Sequence, residues 1–129
     1  METTDSKPTV MLVDDDKFLL DMYSMKFSQA GFAVQACFST KEALEKLRGG
    51  VQPSVVLFDI TVPGEDGFML LQTIRDEKLA SSAKLIALTN QGSDDDKKRA
   101  ADLGAQRYVI KATMIPSEVV AMVQEELKK

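Results

Sequence analysis

The sequence predicts an α/β fold of the (βα)₅ type, a doubly wound, five-stranded parallel sheet between helix layers. Three observations carry this. Five short apolar runs recur along 129 residues. Four of them are nearly continuous in apolar residues, as strands covered on both faces are. Stretches of helical periodicity separate them, and parallel strands need such crossovers. The usual order for five such strands is 2-1-3-4-5, with the functional crevice at the carboxyl ends of strands 1 and 3.

The elements follow in turn. Val10–Val13 is the first strand. Asp16 to Ala30 carries Leu19, Met22, Tyr23, Phe27 and Ala30 at helical spacing, and Gly31 stops it. Phe32–Cys37 is the second strand. Ser39 and Glu42 then form a capping-box pattern, with Ala43, Leu44 and Leu47 inward and Gly49 after the end. Val55–Phe58 is the third strand, and Asp66 to Lys78 places Phe68, Leu71 and Ile74 on one helix face. Leu85–Leu88 leads to a helix that begins at Ser93 and ends at Gly104. Tyr108–Ile110 leads to a last helix from Pro116, with Val119, Val120, Val123 and Leu127 inward and lysines at its end. Residues 1–8 read as a flexible N-terminus and 9–129 as one domain.

Composition narrows the function. The apolar fraction is 44% and the charged fraction 28%, which suits one folded domain and excludes a disordered chain. A net charge of −4 argues against sequence-independent nucleic-acid binding. Cys37 is the single cysteine, so no internal disulfide can form. No apolar run approaches the ~20 residues of a membrane span, and Met1 to Lys7 lacks a signal-peptide core, so the expected location is cytoplasmic. Histidine is absent, which removes histidine nucleophile triads, general bases and metal sites. Chemistry must run on carboxylates, lysine, hydroxyls and metal.

Those groups stand at strand ends. Strand 1 runs into Asp14, Asp15 and Asp16, strand 3 into Asp59, strand 4 into Thr89 and strand 5 into Lys111. A parallel sheet brings all these ends to one edge. Clustered carboxylates resist ionising together, so the cluster is stable only with a cation in it or with some carboxylates protonated. Mg²⁺ suits it, because it takes oxygen ligands and commonly shares one or two carboxylates with water and phosphate. A carboxylate can also act as a nucleophile and give an aspartyl phosphate. A nearby lysine offers a compact charge for phosphoryl oxygens. Asp16 lies nearest the helix start and reads as its cap. Asp94, Asp95 and Asp96 read as first-turn carboxylates favoured by the helix dipole, not as a second metal site.

The motifs together resemble the receiver domain of two-component response regulators, the CheY-like superfamily with a flavodoxin-like fold. The matching pieces are Val13-Asp14-Asp15, Leu57-Phe58-Asp59, and the turn Val62-Pro63-Gly64-Glu65-Asp66-Gly67. Ala87-Leu88-Thr89 follows 30 residues after Asp59, and Lys111 lies 22 beyond Thr89 in Tyr108-Val109-Ile110-Lys111. The resemblance covers Thr9 to Leu127.

It implies a phosphoacceptor domain that supports its own phosphorylation and autodephosphorylation, not an enzyme acting on a separate substrate. Asp59 would take the phosphoryl group from a phosphohistidine on a sensor histidine kinase or histidine phosphotransfer protein. Asp15, Asp59 and the backbone carbonyl of Thr61 would hold Mg²⁺, with Asp14 acting largely through a metal-bound water. Thr89 would hydrogen-bond the phosphoryl group, Lys111 would pair with it, and Tyr108 would be the aromatic switch. The signalling face would be helix 4, strand 5 and helix 5, carrying Lys97, Lys98, Arg99 and Met122. Its effector is not named by the sequence, and a monomer or weak dimer without nucleic-acid or membrane contact is expected.

Phe18 and Met25, seven apart on the first helix and off its main core stripe, read either as peripheral core or as an exposed apolar patch for the phosphodonor partner. Ala112 follows Lys111 where the family usually has a proline, typically after a cis bond; a non-proline cis bond costs ~2.5–4 kcal/mol, so trans is expected. Val62 replaces the family's frequent methionine, and Thr61 and Gln91 occupy the variable positions flanking the site. The alternative reading is a phosphorylation-independent pseudo-receiver, which would have lost the acidic pair, the acceptor or the lysine. A haloacid-dehalogenase phosphatase wants a second aspartate where Thr61 stands. Flavin and dinucleotide carriers lack their phosphate loops here.

Overall fold

Val10–Val13 and Val55–Phe58 have no polar side chain to offer water, so they become inner strands. In a computed structural model of the chain, which describes residues 7–60, 67–90 and 93–128, both are buried along nearly their whole length. The strands are β1 (Thr9–Val13), β2 (Ala33–Cys37), β3 (Val55–Phe58), β4 (Lys84–Thr89) and β5 (Arg107–Ile110). They form one parallel sheet in the order β2-β1-β3-β4-β5, the 2-1-3-4-5 order that the sequence predicts. The outer strands β2 and β5 are only partly buried, which matches the interruption of β2 by Gln35 and the short run of β5.

The helices are α1 (Lys17–Gln29), α2 (Thr40–Arg48), α3 (Gly67–Asp76), α4 (Asp94–Asp102) and α5 (Pro116–Leu127). Three begin on side-chain caps. Asp16 accepts from the Leu19 amide at 3.1 Å, Ser39 from Glu42 at 3.0 Å, and Ser93 from Asp96 at 3.1 Å. Each satisfies an amide that the helix leaves without a partner. The capping box of α2 closes one residue early, since Glu42 accepts from the Phe38 amide at 2.7 Å. Gly31, at φ +94°, ends α1 in a backbone region that a side chain would strain.

Successive strand residues face opposite sides, so the core divides in two. Val10, Leu12, Leu57 and Ile86 pack under α1 and α5 with Leu20, Phe27, Val119 and Val123. Met11, Val13, Val56 and Phe58 pack under α2, α3 and α4 with Ala43, Leu71, Ile74 and Ala100.

Two helix faces differ from expectation. On α1 the buried stripe is Leu20, Tyr23 and Phe27, while Leu19 and Met22 are half-buried and Ala30 is exposed. Apolar residues cover more than half of the circumference of α1, so its spacing alone leaves the inward stripe undetermined. On α5 Met122 is buried beside Val119 and Val123 and is therefore core, not part of a signalling surface.

Candidate functional site

Strand register assembles the site. Val13 pairs with Phe58, so Asp14 and Asp59 stand one step beyond the same rung. Thr89 pairs with Ile110, so Lys111 leaves the sheet just past Thr89. The amide of Asp59 donates to the Val13 carbonyl at 3.0 Å and that of Asp14 to Cys37 at 3.1 Å, which extends the ladder to both carboxylates.

Lys111 lies between the two acids. Its Nζ donates to Asp14 Oδ2 at 2.6 Å and to Asp59 Oδ2 at 2.8 Å. Asp14, Asp59, Thr89 and Lys111 are all buried, with exposures of 5%, 4%, 0% and 8%. A polar cluster this dry holds together only because its charges meet. Burial pushes the Asp14 carboxyl above its usual range, against the pull of Lys111 and of the Asp16 amide, which donates to Asp14 Oδ1 at 3.0 Å. Burial works against the Lys111 ammonium too, but its bonds to Asp14 and Asp59 outweigh it and raise its pKa above 10.5.

Asp15 is exposed at the mouth of the site. Oxygen atoms of Asp14, Asp15 and Asp59 all lie within 4.8 Å of one another. Three carboxylates against one ammonium leave a net charge of −2 when all are ionised. The donors are all hard oxygens, which is the set Mg²⁺ prefers, so the residues present fit that ion. Beneath the carboxylates lies a cavity of about 10 Å³, lined by Leu20, Tyr23, Leu57 and Leu88. It has room for one water at most.

Lys111 reaches this position without proline behind it. Among the described residues no peptide bond is cis. A one-turn 3₁₀ helix, Lys111–Thr113, takes up the chain instead, and the Thr113 hydroxyl closes it on the Ile110 carbonyl at 2.7 Å. Tyr108 is half-buried on β5, and its hydroxyl has no hydrogen-bond partner among the described residues. Burial raises its pKa, with Asp96 and Asp59 adding to the effect. Thr61, the turn residues Val62 to Asp66, and Gln91 lie outside the described residues.

Sequence reasoning gave Gly67 no role of its own beyond its turn motif. A Cβ there would stand 2.5 Å from the Ile60 Cα and 3.0 Å from the Asp59 carbonyl oxygen. The head of α3 therefore rests on the backbone of the acceptor candidate, and only glycine permits that approach. Arg99 is a correction. The resemblance places it on the face shared with β5 and α5, but its guanidinium turns to α3 and lies 4.2 Å over the Phe68 ring.

Comparison with known proteins agrees with the geometry. The family model for the response regulator receiver domain matches residues 10–124. Regulatory protein VanRc of Enterococcus gallinarum is 34% identical over 120 residues, covering 93% of this chain and 50% of that protein. The DNA-binding dual master transcriptional regulator RpaA of Synechocystis sp. is 28% identical over 127 residues, covering 95% and 50%. The chain thus spans about half the length of the curated relatives it matches. Among solved structures, a CheY-like response regulator receiver domain protein from Methanospirillum hungatei superposes with a TM-score of 0.86 at 25% identity, covering 95% of each chain. The receiver domain of a Francisella response regulator gives 0.81 at 27% identity, covering 95% of this chain and 98% of its own.

Proposed function

Since the chain belongs to the response regulator receiver domain family of two-component signalling, we propose that Asp59 is its phosphoryl acceptor. The observation that carries this is the 2.8 Å contact between Asp59 Oδ2 and Lys111 Nζ inside a cluster that also holds Asp14 and Asp15. The donor is a phosphohistidine on a sensor histidine kinase or a histidine phosphotransfer protein. An Asp59 carboxylate oxygen forms a bond to phosphorus, the P–N bond breaks, and the imidazole nitrogen keeps the electron pair and takes a proton. Positioning and charge neutralisation are what the protein must supply for such a transfer.

Asp15 and Asp59 would hold Mg²⁺, with Asp14 contributing largely through a bound water. The carbonyl of Thr61 joins them on the strength of its chain position, two residues after Asp59. Bound Mg²⁺ offsets the negative charge that gathers on phosphoryl oxygens. Lys111 gives up one of its two carboxylate bonds to pair with the phosphoryl group. The Thr89 hydroxyl donates to the same group, and Tyr108, next to the site on β5, follows Thr89 as the switch. The readout is the face formed by α4, β5 and α5, without Met122, which is core.

The phosphodonor protein docks on α1, where Phe18 is 75% and Met25 54% exposed, on the helix that starts beside the acidic pair. The proposed site of action is cytoplasmic. Among the described residues no helix is long and apolar enough to cross a membrane. That every strand joins one sheet supports reading 9–129 as one receiver domain.

The test is mass spectrometry after incubation with Mg²⁺ and acetyl phosphate. Wild-type protein gains one phosphoryl mass and Asp59→Asn gains none. An adduct on Asp59→Asn, or no adduct on the wild type with either acetyl phosphate or a phosphohistidine donor, overturns the assignment.

A further inference from the structure

From the contacts between α3 and α4 we infer that Arg99 is a positioning residue for the acceptor: it holds the first turn of α3 against the backbone of Asp59. The inference rests on Asp59 being the phosphoryl acceptor and adds a residue outside the acidic cluster to its support.

The chain of contacts is short. Gly67, the first residue of α3, lies so close to Asp59 and Ile60 that a Cβ would reach 2.5 Å from the Ile60 Cα and 3.0 Å from the Asp59 oxygen. Phe68 follows directly and is buried in the core layer that contains Phe58, Ile60 and Ala100. The Arg99 guanidinium covers the Phe68 ring at 4.2 Å. A cation over an aromatic face is held by the ring's quadrupole and by stacking of the planar guanidinium.

Helix α4 rests on β5 and on α3. Ala100 is its single buried residue, and its first turn carries three aspartates. A second tie, from Arg75 to the Asp102 carbonyl at 3.3 Å, joins the far ends of the two helices. Arg99 alone of these ties reaches the end of α3 that touches Asp59. The consequence runs both ways. Loosening Arg99 frees Gly67 and Phe68 to move off the acceptor strand, and displacing Asp59 pushes on α4 through Phe68. The charge matters beyond bulk, because lysine can also place a cation over the ring.

Three variants test this: Arg99→Ala, Arg99→Lys, and Arg75→Ala as a control at the far tie. Two readouts are needed. One is the initial rate of phosphoryl incorporation from acetyl phosphate with Mg²⁺. The other is amide hydrogen exchange of residues 67–71 without phosphodonor, set against the urea midpoint. We expect Arg99→Ala to slow incorporation about fivefold and to quicken exchange in the first turn of α3, with Arg99→Lys recovering most of both. Arg75→Ala should leave both unchanged. Wild-type rate and exchange in Arg99→Ala overturn the inference. So does a rate loss that Lys does not rescue and that follows the urea midpoint, because that is a loss of folding alone. A wild type that takes no phosphoryl group is a separate result, which refutes the acceptor assignment and this inference with it.

Discussion

Replacing Lys111 with methionine keeps a stem of similar length and removes the ammonium. In the wild type that ammonium lies 2.6 Å from Asp14 and 2.8 Å from Asp59, and all three side chains are at most 7% exposed. Removing one partner of a buried ion pair leaves uncompensated charge and costs ~3–5 kcal/mol. The lower end applies here, because one carboxylate can escape by taking a proton, and burial already raises the Asp14 pKa. The expected loss is thus about 3 kcal/mol, or roughly 12 °C in Tm for a domain of this size. The sign with pH follows from the shifts. The folded pKa of Lys111 is raised, so its contribution is complete below 10.5 and fades as pH rises through the raised value. Asp14 is also raised, but it is an acid. Its ionised form is penalised by folding, and the penalty vanishes below 3.8. The deficit of Lys111→Met should therefore shrink as pH falls toward 4. Excess Mg²⁺ should shrink it too, because a divalent cation offers the same carboxylates a replacement charge. Urea titrations in EDTA and in Mg²⁺ measure both. A loss below about 1 kcal/mol in EDTA, or an equal loss in the two buffers, would show that the buried pair is not what holds the site.

Three further outcomes are expected. Gly67→Ala should cost about 1–3 kcal/mol and slow phosphorylation by acetyl phosphate, since the new methyl collides with backbone atoms of Ile60 that cannot simply rotate away; a variant with the wild-type urea midpoint and rate would contradict this. Cys37 is fully buried and its thiol is pushed up to about 11. At pH 8 its thiolate fraction is roughly two-hundredfold below that of a free cysteine, so iodoacetamide should label it only after unfolding, and equal labelling with and without urea would refute the assignment. Phe18→Glu should slow phosphotransfer from a protein donor and leave acetyl phosphate untouched; equal loss with both donors would remove α1 as the docking face.

Much of this was legible in the residues because strands end where polarity begins. Val55–Phe58 followed by Asp59, and Val10–Val13 followed by Asp14, announce both a buried strand and a polar edge. Parallel register then does the rest, since Val13 pairs with Phe58. Helix faces were less legible. With Phe18, Leu19, Leu20, Met22, Tyr23, Met25 and Phe27 all apolar, a period of 3.6 fits more than one stripe, and Leu20 emerges as the buried residue only once α1 packs on β1, β2 and α5. Met122 fails for the same reason on α5. Arg99 could not be read at all: a lysine-arginine run looks like a solvated face until a ring from another helix stands under one of its members. Lys111 keeps its place without a proline after it. Its position is set upstream, by the pairing of Ile110 with Thr89.

The charge count explains why this cluster can act as a switch and not only as a binding site. One ammonium serves two buried carboxylates, so Lys111 is shared. Phosphorylating Asp59 to the acyl phosphate moves negative charge outward from the carboxylate and adds about one more unit of it near neutral pH. Lys111 then meets stronger acceptors on the phosphoryl oxygens than on Asp59. The 3₁₀ turn begins at Lys111 itself and α5 starts three residues after that turn's end, so a shift of Lys111 bears on the head of α5. On the opposite side of the sheet, the backbone of Asp59 bears on Gly67 and through Phe68 on Arg99. A change confined to one carboxylate is thus felt at the heads of α3 and α5, which belong to different core layers. A packed interior responds to such displacement by exchanging one arrangement for another, not by bending gradually. Arg99→Ala should weaken the response of α4 to phosphorylation while leaving that of α5 intact, and amide exchange resolved by helix can separate the two.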